Sequence, residues 1–361
     1  MSGLLVAASF LIGSVFGSFL NVCVYRIPRG ISMLIPARSY CPSCKAQIPW
    51  RHNVPILSWL RLRGRCAECG APISIRYPLI ELSAGLLFSL GAWLLPFPLY
   101  ISAWIFTAFL IVATFVDLEF FIIPDSVSIG GLLAGLVCSL LFPPLHQTTS
   151  VLQSLAASIL GACVGAAILF LISELGKLAF GRYRLTFPNP APFFLESDPD
   201  EGLRIVLNDG RFCWEDHFFR KSDRIVIAVT EAQIDGHQFG DSELVFSVDK
   251  VMVGGRTWPL QPLPELRGLV KAARFPREAM GFGDVKLMAM IGAFTGWTGV
   301  LFTIPSASML GSAYGLIATM LGRRELSAKI PFGPYLSLGA LLWIYMAPSI
   351  LDWYRRTLLG F

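Results

Sequence analysis

Leu99-Tyr-Ile-Ser-Ala-Trp-Ile-Phe-Thr-Ala-Phe-Leu-Ile-Val-Ala-Thr-Phe-Val-Asp117 runs 18 residues without a charge and then ends on an aspartate. At 1.5 Å per residue, about 20 apolar residues cross some 30 Å of hydrocarbon, so the stretch reads as a membrane span. Comparable windows recur near 3–25, 79–96, 127–144, 151–178, 284–297, 299–321 and 334–352. The fold class that follows is a polytopic α-helical membrane protein with about eight transmembrane helices. Composition agrees: the 361 residues are 54% hydrophobic and only 15% charged, against about 25% charged in a soluble domain. A single soluble domain, a nucleic-acid binder resting on the net charge of +5 and a secreted disulfide scaffold are thereby excluded. The first window has no basic residue ahead of it and no evident cleavage site, so it reads as a retained helix rather than a signal peptide.

The charges that do occur are unevenly spread. Of 24 acidic residues, 14 lie between Tyr183 and Phe275. Short β-branched runs beginning at Arg204, Arg224 and Glu243 are separated there by Asn208-Asp209-Gly210, Asp235-Gly236 and Gly254-Gly255, the pattern of strands joined by hairpins. The opening Pro188-Asn-Pro-Ala-Pro192, followed by Glu196 to Glu201, reads as a linker. The expected organisation is a first transmembrane helix (1–25), a cytoplasmic zinc-ribbon segment (26–78), helices two to five (79–182), a soluble β-rich insert (183–275) and helices six to eight (276–361). Sidedness comes from the loops. Nine basic residues against one acidic residue, Glu68, lie from Arg26 to Arg76, which predicts a cytoplasmic segment. Arg323, Arg324 and Lys329 return the chain to that side, whereas Arg355 and Arg356 disagree locally. Trp93, Trp297, Trp343 and Trp353 read as interface anchors.

Four of the eight cysteines form Cys41-Pro-Ser-Cys44 and Cys66-Ala-Glu-Cys69. Two such pairs let four thiolates converge on one structural zinc ion. The alternative, a pair of disulfides, conflicts with a cytoplasmic location. Cys23, Cys138, Cys163 and Cys213 read as small buried hydrophobes. His52, His146, His217 and His237 are scattered without ligand spacing, which leaves a histidine-based hydrolase unsupported.

Carboxylates in the membrane body are informative because burying one there costs roughly 2.5 kcal/mol or more. Asp117 ends one span and Asp284 opens another, inside Gly281-Phe-Gly283-Asp-Val-Lys286. Both fall at cytoplasmic helix ends, so the two could meet. A close pair divides its protons, which lets one member activate water while the other protonates a leaving group. Gly281 and Gly283 leave room for a substrate backbone. Each residue also has a structural reading: Asp125 as a helix cap, Glu119 as a solvated loop residue, Asp284 as a cap, Asp117 as an interfacial charge, and Lys286 as an aspartate partner or a snorkelling cation.

The chain resembles the type IV prepilin peptidases, leader peptidases and N-methyltransferases of the membrane aspartic proteases. The resemblance rests on Gly17-Ser-Phe-Leu-Asn-Val22 with Tyr25-Arg-Ile-Pro28, the cysteine pairs, Asn53-Val-Pro-Ile56, Arg76-Tyr-Pro-Leu-Ile-Glu81, Asp117 to Asp125, Gly281 to Lys286 and Pro331-Phe-Gly-Pro-Tyr335. It implies that Asp117 and Asp284 are catalytic, with Asp125 in support. It further implies a bacterial inner (cytoplasmic) membrane location among membrane lipids, with the active site on the cytoplasmic side. The implied substrate is a prepilin of a type IV pilus or a pseudopilin of type II secretion, cut after a glycine behind its short basic leader. The new N-terminus would then be methylated from S-adenosylmethionine with the help of residues 26–77, although no residue there matches a nucleotide loop. Glu119 stands where an aspartate is commoner, and the 183–275 block is extra. Its net charge of about −3 would attract a basic leader over a short screened range, or the block is a solvated accessory domain. The rival readings are a peptidase without methyl transfer and a non-catalytic assembly protein that docks through its ribbon and insert.

Overall fold

The computed structural model describes residues 3–33, 39–180, 182–198, 202–208, 210–214, 218, 223–276, 280–322 and 330–354. Asp209, His217, Arg323, Arg324, Lys329, Arg355 and Arg356, on which parts of the sequence reading rest, lie outside these residues. The chain divides into two compact units, Met1–Phe170 with Gly281–Phe361, and Leu171–Met280.

The first unit is helical. Its long helices are α1 (Gly3–Arg26), α3 (Arg76–Leu94), α4 (Leu99–Phe120), α5 (Asp125–Leu141), the first part of α6 (Val151–Phe180), α7 (Phe282–Met320) and α8 (Gly333–Tyr354), with a short α2 (Leu57–Arg61) between α1 and α3. Among the described residues, five helices are long and apolar enough to cross a membrane, namely α1, α3, α4, α6 as far as Lys177, and α7, while α5 is apolar but shorter. The windows at 284–297 and 299–321 form one 39-residue helix, interrupted at Gly296, where the backbone leaves helical geometry (φ 68°, ψ 179°). In hydrocarbon, helices gain from close van der Waals approach rather than from burial of apolar surface, and small residues allow it. Accordingly, a Cβ on Gly13 would stand 2.5 Å from the Ala84 carbonyl oxygen, and one on Gly161 would stand 2.2 Å from that of Gly292.

Cys23 and Cys138 are buried as expected, whereas Cys163 lies exposed on the outer surface of α6, where an apolar side chain suits a lipid neighbour. Trp343 is not a span-end anchor. It lies midway along α8, its ring 5.4 Å from that of Phe302.

The second unit contains the end of α6 and an antiparallel nine-stranded sheet, β1 (Arg182–Asp198), β2 (Gly202–Leu207), β3 (Gly210–Cys213), β4 (Ile225–Ile234), β5 (His237–Phe239), β6 (Ser242–Phe246), β7 (Lys250–Val253), β8 (Arg256–Pro259) and β9 (Leu266–Pro276). The order is β3-β2-β1-β9-β4-β6-β7-β8, with β5 on β4. Alternation on β4 sends Ile225, Ile227 and Val229 into a core with Phe193, Phe246 and Phe275. The proline-rich opening is strand rather than linker. Thr186 pairs with Ala272 and Ala191 with Val270, so Phe187 to Pro190 bulge out opposite a single residue. Pro188 and Pro190 sit in that bulge, where no ladder hydrogen bond is required of them.

Candidate active site

Three carboxylates are buried among the described residues: Glu81, Asp117 and Asp284. Asp117, 5% exposed, stands in the last turn of α4. Its Oδ2 accepts the backbone N–H of Gly333 at 2.9 Å. Gly333 is the first residue of α8, and its N–H is one of the donors a helix start leaves without an intrahelical acceptor. Asp284 is the third residue of α7, whose cap position is Gly281. Its backbone N–H donates to Gly281 O at 3.2 Å, its Oδ2 lies beside Gly281, and it is near enough to Asp117 for the two charges to interact.

Ile123, in the turn between α4 and α5, ties the three helix ends together. A Cβ on Gly283 would stand 3.1 Å from Ile123 Cβ; one on Gly333 would stand 2.6 Å from Asp117 Oδ2 and 3.1 Å from Ile123 Cδ1. Any side chain at Gly333 would therefore enter the space of the Asp117 carboxylate.

The neighbouring charges depart from the sequence reading in two places. Asp125 does not cap α5: Pro124 holds the cap position and there is no side-chain cap bond. Instead Asp125 Oδ1 accepts Lys286 Nζ at 2.5 Å, which settles Lys286 as an aspartate partner. Glu119 is not a loop residue in free solvent. It lies in α4, pairs with Arg76 and stands 3.6 Å from Arg29. Both arginines come from segments too distant in sequence for spacing to reveal them.

Apart from the carboxylates, Cys41, Cys44, Cys66 and Cys69 bring their four sulfurs within 4.8 Å of one another, a set that could hold a metal ion. The two pairs are built alike. The Cys41 N–H donates to Ala46 O (2.9 Å) and the Lys45 N–H to Cys41 O (2.9 Å), while the Cys66 N–H donates to Ala71 O (2.8 Å) and the Gly70 N–H to Cys66 O (3.0 Å). Each loop closes with an isolated bridge, Tyr40 to Gln47 and Arg65 to Pro72. The residue after each second cysteine is left-handed, Lys45 at φ 60° and Gly70 at φ 70°. Cys-x-x-Cys-x-Ala-x-Ile occurs twice, at Cys41 to Ile48 and Cys66 to Ile73, a repeat too short to stand out before the turns are superposed.

Helices this long and apolar, with buried carboxylates at their ends and a four-sulfur cluster beside them, define a polytopic membrane protein with a built site at one end of the bundle. Residues 11–95 match the bacterial peptidase A24 N-terminal domain, and residues 244–316 match the type IV leader peptidase family. A prepilin leader peptidase/N-methyltransferase of Klebsiella pneumoniae is 35% identical over 49% of this chain and 77% of its own length. Its namesake in Myxococcus xanthus is 38% identical over 49% of this chain and 50% of its own. The one in Aeromonas hydrophila is 26% identical across 97% of this chain and 93% of its own. The chain belongs to the type IV leader peptidase family. No solved structure matches it.

Proposed function

We propose that Asp117 and Asp284 are the paired catalytic acids of this enzyme, which is a prepilin leader peptidase and N-methyltransferase of the inner membrane. The observation that carries the assignment is the convergence of two buried carboxylates from α4 and α7 beside the amide of Gly333. In the proposed reaction one carboxylate, ionised, takes a proton from water as its oxygen attacks the scissile carbonyl. The other, protonated, donates to the amide nitrogen as the C–N bond breaks. Gly281 keeps the approach to Asp284 free of a side chain, Gly283 lets Ile123 pack against the start of α7, and the Lys286–Asp125 pair anchors the start of α7 to that of α5.

Eight spans are the natural count if α7 is divided at Gly296, since 39 helical residues run about 58 Å, nearly twice the hydrocarbon thickness. The excess of lysine and arginine from Arg26 to Arg76 supports a cytoplasmic face for the cysteine segment and, with it, for the aspartates. Residues 183–275 are then a soluble β insert on the same side. Substrates are prepilins or pseudopilins cleaved behind a basic leader; after the cut, the exposed amino group is methylated. Zinc fits the four cysteines: tetrahedral ligation with Zn–S near 2.3 Å spaces sulfurs about 3.8 Å apart, close to the 3.9 Å between the Cys41 and Cys69 sulfurs. With all four ligands supplied by sulfur, its part is to hold the segment folded.

The test is Asp117→Asn and Asp284→Asn, assayed separately on a prepilin in membranes. Asparagine keeps the shape and removes the ionisation. Each change should lower cleavage on the order of 10,000-fold, with unaltered thermal unfolding. Cleavage that persists in either variant would remove that residue from the reaction.

A further inference from the structure

Between its two cysteine pairs the chain carries large apolar side chains that are left uncovered. Trp50 is 84% exposed, Leu57 65% and Leu60 59%. They nevertheless belong to a tightly bonded piece of chain. The buried Ser58 hydroxyl accepts the Val54 N–H at 2.9 Å and donates to Arg51 O at 3.4 Å, which joins the short turn Trp50–His52 to α2. Their exposure is therefore built in and does not come from loose packing. We infer that residues 50–61 form a membrane-surface foot, which lays Trp50, Leu57 and Leu60 into the boundary between headgroups and acyl chains. The inference needs only that α3 crosses the membrane and is independent of the catalytic assignment.

Two bonds set the depth of this piece. The Ile56 N–H, one residue ahead of α2, donates to Glu81 Oε2 at 2.7 Å, and Trp59 Nε1 donates to Ile73 O at 3.0 Å. Ile73 lies three residues before α3 begins, and Glu81 five residues past its start, about 8 Å along the axis. α2 is thus stitched to the chain on both sides of that start. Where lipid begins on α3 is marked by Ile75, Leu79, Leu82 and Leu86, all exposed at the spacing of one helix face. On a spanning helix such an outward apolar stripe meets acyl chains, and it begins at Ile75. The bonds to Ile73 and Glu81 therefore hold α2 at the lipid boundary and not out in water.

The chemistry of the face selects the bilayer as its occupant. Leu57 and Leu60 lie on one side of α2. Ser58 and Trp59 turn the other way, Ser58 buried and Trp59 with its ring against Gly64. Arg51, Arg61 and Arg63 stand exposed around them. Leucine and tryptophan flanked by arginine is the composition of elements that lie in the interface plane, where tryptophan concentrates and cations meet anionic headgroups. A partner helix would need a groove to receive it, whereas these side chains protrude, as suits insertion into a soft medium. The same arginines would repel the basic leader of a prepilin.

The foot also has a defined relation to the aspartates. Arg76, the first residue of α3, pairs with Glu119 in the last turn of α4, two residues beyond Asp117. The stitched start of α3 and the turn that carries Asp117 therefore share one height over the bilayer. On the prepilin reading, a substrate held in the membrane by its own apolar helix presents its cut end at that height. The foot keeps the cysteine segment there to meet it.

The test uses the full-length zinc-loaded protein in nanodiscs of phosphatidylcholine and phosphatidylglycerol. Subtracting the fluorescence of Trp50→Phe from that of the wild type isolates the Trp50 signal. At the roughly 5–10 Å depth an interfacial element reaches, that signal should be lost when the lipids carry bromine on the upper acyl chain, and should survive iodide added to the water. Loss to iodide with no loss to the brominated lipid would overturn the inference. A second measurement leaves Trp50 in place. Leu60→p-benzoylphenylalanine, irradiated in membranes that also contain a prepilin, should become joined to phospholipid. Joining to the prepilin, or to a second copy of this chain, would give the face to that occupant and end the membrane reading, whatever the fate of the catalytic assignment.

Discussion

The cysteine segment and the aspartate site are neighbours in the same unit, yet they are encoded in opposite ways. Each knuckle is closed by hydrogen bonds among residues no more than nine apart, from Cys41 with Ala46 and Cys66 with Ala71 out to Ser39 with Ile48 and Gly64 with Ile73. A short repeat therefore carries its own shape and needs a metal only to join the two halves. The aspartate site contains almost nothing local: its parts come from positions 117, 123, 283, 284 and 333. It exists only when α4, α7 and α8 have packed. The first should fail as a unit when its ligands are removed; the second should fail by displacement.

The sharpest break in the comparison is removal of the metal. Structural zinc contributes roughly 10 kcal/mol or more to such small folds. Cys41→Ser with Cys44→Ser should therefore release the ion and abolish methylation, with a much smaller loss of cleavage, as followed by mass spectrometry of a pilin. Less than about half an equivalent of zinc in the wild-type protein would end the ribbon reading.

The converse break is Gly333→Ala. The added Cβ would stand 2.6 Å from Asp117 Oδ2, so the carboxylate and the donating amide have to separate. A displacement near 1 Å costs about 100-fold in rate, and cleavage should fall by that order while the zinc content of the cysteine segment stays unchanged. Loss of both together would mean that the two regions are not independent.

The smallest effect sharpens the likeness between the knuckles. Lys45 occupies the left-handed position that Gly70 occupies in the other knuckle, and a side chain there costs energy a glycine avoids. Lys45→Gly should stabilise the metal-loaded segment by about 0.5–1 kcal/mol, read as slower zinc loss to a chelator. Faster loss would imply that the Lys45 ammonium over the Tyr40 ring, 5.7 Å away, matters more than the backbone.

This division also explains how much could be read from the chain beforehand. The helices were legible because an apolar run of membrane length has few other readings, and the four cysteines because ligand spacing is local. Asp117 and Asp284 stood out through the cost of burying them. Gly333 did not, since nothing in Pro331 to Tyr335 says which residue its N–H will meet. Glu119 looked solvated because Arg29 and Arg76 arrive from other segments. The prolines from 188 to 192 suggested a linker because a strand that tolerates them does so through a bulge, which register reveals and composition does not.

One consequence follows from the placement of Asp117 and Asp284 against the first residues of α8 and α7. Helix starts present partial positive charge, so the pair is held against oriented peptide groups, which dissolved ions can neither displace nor exchange. Arg29 and Arg76, beside the cysteine segment, are met instead by the exposed carboxylate of Glu119, a set of full charges that salt screens. Raising the ionic strength should then slow methylation while cleavage of the same pilin barely responds, and the ratio of methylated to merely cleaved product becomes a readout of salt.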